Sequence, residues 1–98
     1  MVRHIVFWRL KEEAEGKTKW ENAKIIKEGL EALVGVIPGL LEAEVGLNEN
    51  GGEYHACLMS KFESMGALKA YDVHPEHQKV REYVTKVRES RVAVDYEI

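Results

Sequence analysis

The chain has 98 residues, 45% of them hydrophobic and 32% charged, with a formal net charge of −3 at pH 7. A chain of this length forms one domain, here residues 1–98, and buries roughly 60–65% of its unfolded surface, so it folds alone but gains from a partner. Lysines and arginines are scattered among acids, which excludes the basic stripe of a nucleic-acid binder, and no apolar run is long enough to span a bilayer.

The first predicted element runs from Val2 to Leu10, rich in β-branched and aromatic residues. Its centre, Ile5-Val6-Phe7-Trp8, is apolar on both faces, which places it in the middle of a sheet. His4 shares a face with Val2, Val6, Trp8 and Leu10. Lys11 to Gly16 reads as a polar connection. Thr18 with Glu21 three residues on forms a capping box. Trp20, Ala23, Ile26, Leu30, Leu33 and Ile37 then trace one stripe of an amphipathic helix, which Pro38-Gly39 ends or closely follows.

Leu41 to Asn48 alternates, with Leu41, Ala43, Val45 and Leu47 on one face, as a half-buried edge strand does. Asn48 to Gly52 is a turn. Glu53 to Phe62 is a second strand apolar on both faces and therefore central. Ser64 caps a short helix bearing Met65, Leu68 and Tyr71. His74-Pro75 interrupts it, because proline disfavours helix in the residue before it yet fits the first turn of a new one. Val80, Tyr83, Val84 and Val87 form the next apolar stripe. In the last strand Val92, Val94, Tyr96 and Ile98 share one face, and Arg91, Ala93, Asp95 and Glu97 the other.

The order β-α-β-β-α-β, with the second helix broken in two, predicts a ferredoxin-like α+β fold. Its first and third strands lie at the centre of a four-stranded sheet, and these are the two strands apolar on both faces. Helices cover one face of the sheet. The other is left as a large apolar surface, which a second copy of the chain covers most economically, sheet against sheet. Met1 to Ile5 reads as the start of a strand rather than a signal peptide. The lone Cys57 makes no intrachain disulfide, so a reducing cytoplasm is the default location.

The chemistry concentrates in Tyr71-Asp72-Val73-His74-Pro75-Glu76-His77, which gathers a phenol and two imidazoles within seven residues. His77 falls in the first turn after Pro75, where the helix dipole disfavours positive charge and favours the neutral, proton-accepting imidazole. Tyr71 can donate a hydrogen bond to a substrate carbonyl and steady an enolate. The plainer alternative packs Tyr71 between helices and leaves His77 capping a loop. His74 counts among the pocket candidates, although a histidine before proline also suits a backbone hydrogen bond at the helix start. His4 and His55 lie on strands expected to be neighbours, and strand register decides whether they share a cavity. No complete ligand signature accompanies the four histidines, so no metal site and no cofactor are expected. Cys57 reads as a small buried hydrophobe, and Trp8 and Trp20 as core or interface residues.

Taken in order, Val2-Arg3-His4-Ile5-Val6-Phe7, Ile37-Pro38-Gly39, Phe62-Glu63-Ser64, Tyr71 to His77 and Asp95-Tyr96-Glu97 resemble the stress-responsive dimeric α/β-barrel (Dabb) family over nearly the whole chain. The resemblance implies a homodimer whose two sheets form a barrel, with a small cavity beside each sheet. The family includes a plant cyclase that closes a linear tetraketide into olivetolic acid. The resemblance puts that enzyme's tyrosine and histidine at Tyr71 and His77, and its other pocket histidines at His4 and His55. Trp8, Cys57 and Met59 depart from that enzyme's pocket lining. The expected function is a cytosolic homodimer with a pocket for a small metabolite and cyclase-like or aldol-type proton transfer. The alternatives are a noncatalytic, stress-linked ligand-binding or interaction module and, further off, a haem or quinol monooxygenase.

Overall fold

A computed structural model describes all 98 residues. Strand β1 (Val2–Leu10) buries Val2, His4, Val6, Trp8 and Leu10 on one face and turns Phe7 and Arg9 outward. Strands β2 (Glu13–Ala14) and β3 (Lys17–Thr18) form a small hairpin in what the sequence presents as a polar connection. Its turn is Glu15-Gly16, both at positive φ (53° and 73°), the backbone of a tight two-residue hairpin turn. Without Asn-Gly and with two-residue strands, the hairpin leaves almost no pattern in the sequence.

Helix α1 (Lys19–Glu31) starts on the expected box: Thr18 accepts from the Glu21 N–H, and the Glu21 carboxylate accepts from the Thr18 N–H. It buries Asn22, Ala23, Ile26 and Leu30. The apolar stripe runs on to Ile37, but the helix stops at Glu31. Residues 32–36 form turns, with Gly35 at φ 86°, and these turns keep Leu33 and Ile37 in the core without a continuous helix. Trp20 is not part of the buried stripe; it is 42% exposed and meets the His55 ring edge-on at 5.8 Å.

Gly39 sits at φ 85°, and a Cβ there would lie 2.6 Å from the Ala67 Cβ on the next helix. Gly39→Ala meets both a left-handed backbone and a clash. We expect it to lose about 1–3 kcal/mol, read as a lower urea midpoint at unchanged slope.

Strand β4 (Leu40–Leu47) forms the edge beside β5 (Ala56–Phe62). The register shifts between Leu40 and Glu42, so Leu40 rather than Leu41 is buried. This bulge breaks the simple alternation, while Val45, further along, points inward as expected. Helix α2 (Met65–Asp72) begins where Ser64 accepts from the Ala67 N–H at 3.1 Å. Helix α3 (Pro75–Val87) follows, and β6 (Arg88–Glu97) closes the sheet in the order β4-β5-β1-β6. All neighbouring strands are antiparallel. This is the ferredoxin-like α+β fold, with the two strands that are apolar on both faces at its centre.

The helices cover one sheet face around Phe62, Ile26, Leu58, Val6 and Val87. Across this layer Tyr83 donates to Asn22 Oδ1, joining α3 to α1, and Asn22 Nδ2 donates to the Ala14 carbonyl at 3.0 Å. The hairpin is thereby tied to the core. On the opposite face Phe7, Met59, Val92, Val94 and Tyr96 are all exposed. No helix is long and apolar enough to cross a membrane.

Candidate functional site

Tyr71 lies in the last turn of α2 and His77 in the first turn of α3. The break between them comes from His74-Pro75. His74 is the N-cap of α3: its backbone is extended (φ −68°, ψ 134°) and its Nδ1 accepts from the Glu76 N–H at 3.1 Å. Pro75 then starts the helix where a missing N–H costs nothing. The reset brings the Tyr71 and His77 rings into a stack, centroids 4.0 Å apart and planes 26° apart. The other side of Tyr71 meets Phe62 edge-on at 4.9 Å.

The proton on His77 has a defined place. Nδ1 lies 3.3 Å from the Asp72 backbone carbonyl, which can only accept, so Nδ1 carries the hydrogen and Nε2 the lone pair. Burial pulls the His77 pKa below its ordinary 6.5, opposed in part by the Asp72 carbonyl. The ring is therefore neutral at neutral pH. Burial, and after it the Asp72 charge, pushes the Tyr71 pKa above its ordinary 10, so the phenol stays protonated and keeps a hydrogen to donate. Its hydroxyl is bonded to no protein group.

Strand register brings in His4. On β1 it pairs with Ser60 on β5 and Asp95 on β6. Its Nδ1 bonds to the Asp95 carboxylate, which fixes Nδ1–H and leaves Nε2 with the lone pair when the ring is neutral. The His4 ring meets Phe62 at 6.2 Å, so His4, Phe62, Tyr71 and His77 form a continuous aromatic row.

A cavity of about 430 Å³ between sheet and helices is lined by His4, Tyr71, His77 and Trp8, among others. That volume falls within the range of small-molecule sites. The Trp8 indole N–H is buried and has no acceptor in the protein.

His55 and His74 do not line this cavity. His55 precedes β5 at the opposite end of β1 from His4, where its Nδ1 accepts the Leu10 N–H at 2.9 Å. Burial followed by Lys19 lowers its pKa. His74 is held by its capping role. The cavity also includes Asp95, Arg88 and Arg91, which the motif reading passed over; their signal was the alternation that places Arg91 and Asp95 on the face opposite Val92 and Val94. No three His, Cys, Asp or Glu side chains converge as a metal centre would require.

A ferredoxin-like sheet with a side cavity and an uncovered apolar face defines the class of α/β-barrel domains. Residues 2–98 match the Stress responsive A/B Barrel Domain (Dabb), and the chain belongs to that family. It is 36% identical to a dimeric ferredoxin-like protein of unknown function from Bacteroides fragilis, covering 99% of this chain and 95% of that one with a TM-score of 0.89. A dimeric ferredoxin-like protein from Jannaschia is 27% identical, with 99% and 98% covered and a TM-score of 0.79. The hydroxynitrile lyase of Passiflora edulis shares the fold at 20% identity, with 99% and 92% covered and a TM-score of 0.80. No curated protein matches the chain in sequence.

Proposed function

We propose that this protein is a homodimer whose cavity binds a small carbonyl metabolite and moves a proton at the carbon beside the carbonyl. The observation that carries this reading is the stacked Tyr71–His77 pair, with one ring poised to accept a proton and the other to donate a hydrogen bond. His77 Nε2 takes a proton from a carbon flanked by two carbonyls. The C–H electrons pass to a carbonyl oxygen, and the Tyr71 O–H stabilises the enolate. The enolate carbon attacks a second carbonyl carbon of the same molecule, and the imidazolium returns its proton to the alkoxide so formed. The ring closes with atoms and charge balanced, and His77 ends neutral. His4, oriented by Asp95, presents Nε2 to a ligand hydroxyl, and the Trp8 N–H awaits an acceptor. The hydroxynitrile lyase of Passiflora edulis shares this fold, so the scaffold is one that can house a lyase.

The uncovered sheet face and the dimeric state of the Bacteroides and Jannaschia proteins support the dimer. Its interface buries the exposed apolar residues of β1, β5 and β6.

The test is deuterium exchange into acetylacetone, followed by NMR with catalytic protein. Exchange should quicken with pH and level off above an inflection below 6.5, because the base must be unprotonated and burial lowers the His77 pKa. It should stay level past pH 8, because Tyr71 remains protonated above the ordinary tyrosine range. Binding without any exchange leaves a carrier rather than a catalyst. An inflection above 7 removes His77 as the base.

A further inference from the structure

We propose that the cavity selects anionic ligands, a carboxylate in particular, through Arg88 and Arg91 at the start of β6. This deepens the functional reading above and rests on it. The cavity wall carries four cations, Lys69, Arg81, Arg88 and Arg91, against two carboxylates, Asp72 and Asp95. That balance runs opposite to the net charge of −3 on the whole chain. Both carboxylates are committed. Asp72 holds Arg81 at 3.1 Å, and Asp95 is bonded to His4. Lys69, Arg88 and Arg91 pair with no acid in the protein.

Arg88 and Arg91 both line the cavity and neither is ion-paired, so a bound anion gains their charge without breaking a salt bridge. Burial lowers the Arg91 pKa, the charges of Arg81 and Arg88 lower it further, and Asp72 and Asp95 oppose them only in part. Arginine forks bind carboxylates with paired, charge-assisted hydrogen bonds. Arg91 pairs with Trp8 across the β1–β6 ladder, and Asp95 with His4. The strand spacing of about 3.3 Å per residue puts Arg91 four residues, or some 13 Å, along β6 from Asp95. Arg91 also lies close enough to Tyr71 for its charge to act on the phenol, so a ligand can hold its acid group at Arg91 with its enolisable carbon beside Tyr71 and His77. The selected class is therefore an oxo acid, with the carboxylate at one end and an enolisable carbonyl further along.

The test compares 3-oxo-3-phenylpropanoate with its methyl ester, titrated into the protein while the His77 ring resonances are followed by NMR. The acid should bind about tenfold or more tightly than the ester, a ratio set by charge-assisted hydrogen bonds. Raising salt should weaken the acid alone. In Arg88→Gln/Arg91→Gln the two affinities should converge. Both side chains stand clear of the core, so the variant should fold, and Arg91→Lys should restore part of the preference. Equal binding of acid and ester to the wild type, with His77 perturbed by both, overturns the anion preference and leaves the cavity reading standing. If neither molecule perturbs His77, the cavity reading falls and this proposal falls with it. A preference that survives in the double variant also overturns it.

Discussion

Replacing His77 with alanine should slow carbon-acid exchange by about 10²–10⁴-fold, the usual contribution of a positioned general base. His77 is the one cavity imidazole whose lone pair is set by a backbone contact beside a protonated phenol. The protein should stay folded, since His77 is half-buried at a helix start and outside the apolar core. Tyr71→Phe separates packing from chemistry. The ring still fills its place between Phe62 and His77, and only the hydroxyl is lost. Exchange should fall by about 10²–10³-fold, as when one oxyanion donor is removed. Because that hydroxyl bonds to no protein group, thermal stability should hold or rise slightly. Full activity in His77→Ala would move the base elsewhere, with His4 the remaining imidazole in the cavity.

The second large effect is expected at Ile5. It sits on the outer sheet face between Met59 on β5 and Val94 on β6. Ile5→Lys places an ammonium group at the middle of the surface proposed to join two copies. Two-fold symmetry introduces the charge twice, and each unpaired buried charge costs at least ~3 kcal/mol. The dimer constant should weaken by about ten-thousandfold or more. The monomer should keep its fold, because the helix-facing residues of β1 are the alternate ones, Val2, His4, Val6 and Trp8. Sedimentation should then report 11.2 kDa for the variant and twice that for the wild type. A wild type at monomer mass would show that something else covers this face.

Much of the fold was legible because hydrophobic alternation and helix caps act locally. The double-faced apolar runs at β1 and β5 told which strands are central, and Thr18 with Glu21 told where α1 begins. Where α1 ends was not legible. The apolar spacing persists through Leu33 and Ile37 because the turns around Gly35 must also point side chains at the core. The bulge at Leu40 and Leu41 was hidden for a related reason: two adjacent leucines satisfy either register.

At the site, Tyr71 and His77 could be read from Pro75, a local signal, and the cavity does bring them together. Their catalytic role remains the proposal tested above. His4 depended on long-range pairing, and only the register with Asp95 places it. His55 looked equivalent to His4 on neighbouring strands. It lies one residue outside the ladder of β5, where a backbone N–H claims its ring. Arg88 and Arg91 were visible as residues but not as a site, since charge on an edge strand ordinarily means solvent.

The Asp72 carbonyl carries a consequence for how this protein tolerates substitution. It holds the His77 ring and also accepts from Gln78 Nε2 at 2.7 Å. A main-chain oxygen does not depend on the side chain that follows it, so the contact that sets the His77 tautomer rests on the helix break at His74-Pro75 rather than on the side chain at position 72. The Asp72 side chain, which faces Arg81, is separately mutable. Substitutions at Asp72 would thus alter the charge around the cavity while leaving the backbone contact to His77 in place.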